Sequence, residues 1–244
     1  MKITFLGTSH GYCEEDRFCS SAALTVGNTT YLIDAGAPIT GLMLKHKLPL
    51  DSVRAIFLTH KHPDHWFGLH EFVYQMNNHY FKKKYPTAHF EIYASEVEPF
   101  EQLLGSCAHT PISDLKLYTE GLFYEDENIR VTAFPTEHIP NAFGFLIEAE
   151  GKKIAFSGDL KGGYSLYPST LTETELDIAV VESAHAKYTD PEVFEKLSRT
   201  RTKRFLINHY FHGKNPPEVI EEFAARTRDR FETILTHDGD VFTV

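Results

Sequence analysis

Between residues 57 and 68 the chain reads FLTHKHPDHWFG, and four of these residues, His60, His62, Asp64 and His65, carry imidazole or carboxylate groups. Imidazole nitrogen and carboxylate oxygen are donors that zinc, manganese and iron accept. The spacing matters as much as the residue types. The run AIFLT before His60 reads as a buried strand over residues 55–59. In an extended backbone, residues two apart face the same side, so His60 and His62 point together. Pro63 then turns the chain, and Asp64 and His65 open a helix that faces back toward them. Solvated loop histidines are the plain alternative in a chain with 14 histidines, but they carry no requirement for a strand end.

Three further donors follow later strands. His138, in TEHIPNAFGF, comes just after a strand over 129–134; Asp159, in IAFSGDL, after one over 153–157; and His209, in FLINHYFH, after one over 204–208. Donors at the ends of successive strands converge on one edge of a sheet, where pockets form.

The elements that must hold these groups are short strands rich in Val, Ile, Phe and Tyr, several bounded by Gly, Asp or Asn. Strands are expected at 2–6, 22–26, 30–33, 55–59, 90–94, 129–134, 143–148, 153–157, 178–182, 204–208, 233–236 and 241–244. Helices are expected at about 39–46, 65–80, 96–104, 191–198 and 216–230, the last capped by Asn215 ahead of Pro216 and Pro217. Residues 105–128 read as an irregular loop or lid at the rim of a site. With no repeat and no linker-like stretch, one domain over residues 1–244 is expected, built as stacked layers of helix, sheet, sheet and helix.

The H-x-H-x-D-H run resembles the metallo-β-lactamase superfamily, a group of mostly binuclear metallohydrolases, and the later donors fit its pattern. The resemblance implies a four-layer αββα sandwich. It implies that His60, His62 and His138 hold one metal ion and Asp64, His65 and His209 a second, with Asp159 and a hydroxide bridging both. Asp34, in YLIDAG, matches an aspartate that supports the site by orienting a ligand histidine. His237 is the rival to His209 as last ligand, and His10 stands in a turn that lines the site in this superfamily. His185, in VVESAH, and His212 are the two candidates for the proton donor to a leaving alkoxide. Cys13 and Cys19 bracket CEEDRFC, near where some relatives carry a small structural zinc site; buried or inert thiols are the plainer reading.

Within the superfamily, FLGTSHG, SSAALTV, YLIDAG, VVESAH and FLINHYFH resemble the ribonuclease Z-like branch and its cyclic phosphodiesterase relatives. That branch hydrolyses phosphodiesters. However, 20 residues separate His138 from Asp159, too few for the long arm with which ribonuclease Z holds tRNA, and its H-S-T motif is missing. A phosphodiesterase acting on a small or cyclic phosphodiester is therefore expected, with Asp64 accepting or orienting the hydroxide proton. The alternative is an ester, thioester or lactone hydrolase using the same site, and a non-enzymatic metal-dependent binding protein is the third reading. Lys161 and Lys214 are candidate phosphate-binding residues, with solvated surface lysines as the alternative.

The bulk properties are compatible with this. A net charge of −10 disfavours broad adhesion to nucleic acid or anionic lipid, although two divalent ions would add about four local positive charges. No extended nucleic acid and no membrane is expected as partner, and a homodimer is common among the relatives. Three cysteines cannot form a disulfide framework, and MKITFLGTSHG holds too short an apolar run for an export signal, so a cytoplasmic location is expected.

Overall fold

The computed structural model describes residues 1–84, 88–105 and 115–244. Cys107, His109 and residues 106–114 of the expected rim segment lie outside the described residues. The chain divides into two compact units, residues 1–118 with 238–243, and residues 119–237 with 244.

The first unit contains β1 (Lys2–Gly7), β2 (Ser21–Val26), β3 (Thr29–Ile33), α1 (Ile39–Lys45), β4 (Val53–Phe57), α2 (Phe67–Asn77), α3 (His79–Lys84), β5 (Glu91–Ala94), α4 (Glu98–Gly105) and β6 (Leu115–Leu117). The second contains β7 (Gly121–Glu125), β8 (Arg130–Pro135), β9 (Phe143–Ala149), β10 (Lys152–Phe156), α5 (Ser169–Glu173), β11 (Leu176–Glu182), α6 (Pro191–Ser198), β12 (Thr202–Asn208), α7 (Pro217–Thr227) and β13 (Glu232–Leu235). The final strand, β14 (Val241–Thr243), returns to the first unit.

Each unit is one seven-stranded mixed sheet, ordered β14-β1-β2-β3-β4-β5-β6 in the first and β13-β12-β11-β10-β9-β8-β7 in the second. Each sheet is antiparallel over one part, β14 to β3 in the first and β7 to β10 in the second, and parallel over the other, from β3 to β6 and from β10 to β13. Parallel neighbours need crossovers, and helices supply them. The carboxyl ends of parallel strands are where α/β sheets place ligands, and those ends carry Asp34, His60, Asp159 and His209.

In the first unit Leu32, Ile56 and Ile92 on one sheet face join Leu42 and Met43 of α1, Leu69, Phe72 and Val73 of α2 and Phe100 of α4 in one core. Tyr31, Phe57 and Tyr93 point the other way, with Phe57 stacked on Tyr31 and tilted against Tyr93, and all three are also buried. Burial on both faces is why these strands read as unbroken apolar runs rather than alternating ones. The second unit repeats the arrangement, with Ala179, Val181, Phe205 and Ile207 against Val193 and Leu197 of α6 and Ile220 and Phe223 of α7. No helix among the described residues is long and apolar enough to cross a membrane.

Three expectations change. The helix expected over 65–80 is broken twice: Trp66 departs from helical geometry at φ −150°, and Asn78 is extended between α2 and α3. The segment read as irregular contains β6 and β7. Asn215 does not cap α7, whose first turn is preceded by Pro216 without a side-chain cap. Instead Asn215 is buried, and its amide donates to the carbonyls of Ser183 (2.7 Å) and Ala186 (2.8 Å) while its oxygen accepts from the Tyr188 amide (2.8 Å). That network pins the loop carrying His185. Asn215→Ala strands three buried backbone groups, so a loss of about 3 kcal/mol is expected in denaturant unfolding; a loss below about 1 kcal/mol would show that water replaces the amide.

Candidate functional site

In the first unit the hydrogen bonds start from Asp34, which sits at φ +59° just past β3 and is buried. One of its carboxylate oxygens accepts from the Thr59 amide at 2.8 Å, and the Thr59 hydroxyl lies 3.0–3.1 Å from both oxygens. The other carboxylate oxygen stands 2.7 Å from His65 Nδ1. A carboxylate accepts only, so Nδ1 carries the proton and Nε2 presents its lone pair away from Asp34. This is the support role expected of Asp34.

The chain must run close here. Ala35 N donates to His65 O (2.7 Å) and Gly68 N to Ala35 O (2.9 Å). A Cβ on Gly36 would stand 2.4 Å from Asp64 O, and one on Gly68 would stand 2.7 Å from Gly36 O, so neither position tolerates a side chain. The result brings the expected group together. His60 Nε2 lies 3.0 Å from His62 Nδ1, the His60 and His65 rings are 4.2 Å apart, and Asp64 Oδ2 lies 3.4 Å from His65 Nε2. Asp64 Oδ2 also accepts from the Gly11 amide at 2.9 Å.

In the second unit Asp159 follows β10 through Gly158 (φ +58°), and His209 follows β12 at φ +46°. Asp159 Oδ2 lies 3.3 Å from His209 Nε2, 3.6 Å from His138 Nε2 and 4.0 Å from His185 Nδ1. One carboxylate oxygen therefore has three imidazoles around it. His185 stands 4.6 Å from the His138 ring and stacks at 12° on His209.

Glu182, at the end of β11, was not foreseen. It is 2% exposed, and its carboxylate accepts from the amides of Leu160 (3.3 Å), Ala184 (2.6 Å) and His185 (3.0 Å) and lies 3.2 Å from His185 Nδ1. The signal was a charged residue closing the apolar run IAVVE, which burial penalises unless it is partnered. Burial lowers the His185 pKa, but Glu182, helped by Asp159, outweighs it and leaves the pKa raised; the charge of Lys214 opposes them.

The remaining candidates are placed differently. His212 is exposed, with its ring edge-on to Tyr210, and Lys161 and His237 are exposed, whereas Lys214 is half-buried. His10 is half-buried against Tyr12 and lies 3.9 Å from Glu14. Cys13 and Cys19 touch each other, Sγ to Sγ at 3.5 Å.

Two donors on one tetrahedral zinc stand about 3.3–3.4 Å apart. The donor separations of 3.0 and 3.4 Å in the first unit and 3.3 and 3.6 Å in the second are close to that edge. Asp159, His185 and His209 form a group whose candidate ligand atoms all lie within 4.8 Å of one another. Both donor sets suit a divalent ion in chemistry and spacing.

A sequence profile of the family described as anti-Pycsar protein Apyc1 matches residues 1–229. The chain belongs to that family. Ribonuclease Z of Picosynechococcus sp. is 31% identical over 166 residues, covering 64% of this chain and 50% of the relative. The chain thus spans about half the length of the curated relatives it matches. The solved structure of human tRNase Z, short form, matches with a TM-score of 0.71 at 21% identity, covering 100% of this chain and 99% of that one. Zinc-bound PqqB from Methylobacterium extorquens matches with a TM-score of 0.73 at 17% identity, covering 100% of both chains. The chain is thereby placed in the metallo-β-lactamase superfamily, on its ribonuclease Z-like branch, and its fold is the α/β sandwich of that superfamily. The name ribonuclease, carried by these relatives, does not fit the expectation that no extended nucleic acid is bound.

Proposed function

We propose that the protein is a binuclear metal-dependent phosphodiesterase acting on a small or cyclic phosphodiester, with residues 1–244 as one functional domain. The observation that carries this reading is the donor set itself: His60, His62, Asp64 and His65 gathered in one unit, and His138, Asp159 and His209 in the other. The superfamily resemblance assigns these seven residues to two ions, zinc being preferred and manganese or iron acceptable. When bound, such ions supply an activated water as nucleophile and neutralise charge on phosphoryl oxygens.

The chain's own residues do the rest. Asp34 fixes the tautomer of His65, and the Gly11 amide holds Asp64. His185, held by Glu182 at 3.2 Å from its Nδ1, gives a proton to the leaving alkoxide. Half-buried Lys214, whose charge is felt at His185, supports an anionic substrate over a neutral ester.

His185→Ala separates proton donation from metal binding. A nitrophenolate leaving group needs no proton, so its hydrolysis should change little, whereas a nucleoside alkoxide should leave about 10²–10⁴-fold more slowly. Equal losses on both, with less metal retained, would make His185 a ligand instead.

The substrate class is tested with metal-loaded protein on four probes: a chromogenic phosphodiester, a cyclic mononucleotide, a thioester or lactone, and a precursor tRNA. Turnover of the first two supports the reading. Turnover of the thioester or lactone alone overturns it in favour of carbonyl chemistry, and a preference for precursor tRNA overturns the small-substrate part.

A further inference from the structure

The loop over residues 8–20 reaches the site at the 2.9 Å contact from the Gly11 amide to Asp64 Oδ2. Two residues beyond Gly11 is Cys13, whose Sγ stands 3.5 Å from that of Cys19. The two ends of this pair are held very differently.

Cys19 is fixed. It is buried, it bridges to Ser9, and its neighbour Phe18 donates to Asp238 at 2.7 Å. A Cβ on Gly7 would stand 1.8 Å from Cys19 O, and one on Gly36 would stand 2.7 Å from Cys19 Cβ. The Gly7 and Gly36 backbones therefore pack closely on its carbonyl and Cβ. Cys13 is exposed and sits in a short turn braced by the Ser9 hydroxyl on Tyr12 O (2.7 Å). A disulfide needs the sulfurs about 2.05 Å apart, so closing the pair draws in exposed Cys13 more readily than buried Cys19. That motion is passed to Gly11, two residues away.

We propose that Cys13 and Cys19 form a reversible disulfide whose closure withdraws the Gly11 amide from Asp64. The consequence for metal binding rests on the reading of Asp64 as a ligand given above. The oxidant is a low-molecular-weight disulfide, RSSR. The exposed Cys13 thiolate attacks one of its sulfurs and expels RS⁻, leaving a mixed disulfide. Cys19, whose thiol pKa burial pushes up to about 12, gives its proton to the first RS⁻ and attacks the Cys13 sulfur, expelling the second RS⁻. In balance, two protein thiols and one RSSR give one protein disulfide and two RSH; the protein gives up two electrons and RSSR takes them. Disulfides in reducing compartments are characteristically of this transient, regulatory kind.

The test uses the full chain with Cys107→Ser, so that only the pair remains, as purified and then treated with oxidised glutathione or dithiothreitol. Peptide mapping after alkylation should show Cys13 joined to Cys19 in the oxidised sample and both alkylated in the reduced one. Hydrogen exchange at the Gly11 amide should become about tenfold faster on oxidation, the loss of one hydrogen bond. Release of bound zinc to a chelator should quicken by about tenfold or more. Cys13→Ser should abolish every response while keeping the reduced protein's behaviour. A product that stops at glutathionylated Cys13, unchanged Gly11 exchange in the closed form, or the same responses in Cys13→Ser would overturn the proposal. A reduced protein that holds no zinc and hydrolyses no phosphodiester would overturn the functional reading instead, while mapping and exchange would still decide the disulfide.

Discussion

Asp159→Ala is expected to reduce phosphodiester turnover by about a thousandfold or more, the scale on which loss of a preorganised charge at a reacting centre is felt. The reason is geometric. A single carboxylate oxygen lies 3.3, 3.6 and 4.0 Å from nitrogens of His209, His138 and His185. Removing it leaves three imidazoles without the carboxylate oxygen they share, so retained metal should fall with activity. Asp159→Asn keeps the shape and one neutral oxygen donor, and should retain more metal than alanine while remaining nearly inactive. Elemental analysis beside the rate assay separates the two effects. Full activity in the alanine variant would remove Asp159 from the site.

The second large effect is at Asp34. Its carboxylate holds the Thr59 amide and hydroxyl and orients His65 through Nδ1. Asp34→Ala should weaken metal binding by about 10–100-fold, as expected when the partner of a ligand histidine is lost. It should also cost about 2–4 kcal/mol of stability, because the buried Thr59 amide loses its acceptor. Asp34→Asn tests these separately. Its amide oxygen can still serve Thr59, but its NH2 group faces His65 and forces the other tautomer. Stability should largely return while metal affinity stays low. Recovery of both would mean that Asp34 shapes the loop and does nothing for the tautomer.

Most of the strands were legible in the sequence because they are buried on both faces and read as apolar runs, as with AIFLT before His60. The helix over Pro191–Ser198 was legible too, opened by Asp190, which accepts from the Glu192 amide, ahead of a proline. The two strands that escaped, β6 and β7, are each the edge of a sheet. Lys116 and Leu117 of β6 and Leu122 of β7 are exposed, so neither shows the buried signature. Edge strands manage their exposure with charge and brevity, and that is what hides them.

At the site, the donors were legible because their types and spacing are chemically specific. Their supports were less so. Asp34 was found only through resemblance, and Glu182 was passed over although it closes an apolar strand. Asn215 was assigned to a helix cap because Asn before Pro-Pro suits one, whereas its buried amide bridges Ser183, Ala186 and Tyr188 across a long sequence separation. The Cys13–Cys19 contact depends on a folded loop and on backbone crowding at Gly7 and Gly36, which no local pattern encodes.

The most direct test of metal-dependent phosphodiester hydrolysis is a single titration: the rate on a chromogenic phosphodiester, measured on metal-stripped protein as zinc or manganese is returned, with bound metal counted at each point. The account predicts no turnover without metal, and activity that rises to a plateau as bound metal approaches about two ions per chain. A fully loaded protein that leaves the phosphodiester untouched, or turnover that persists after complete stripping, would contradict it.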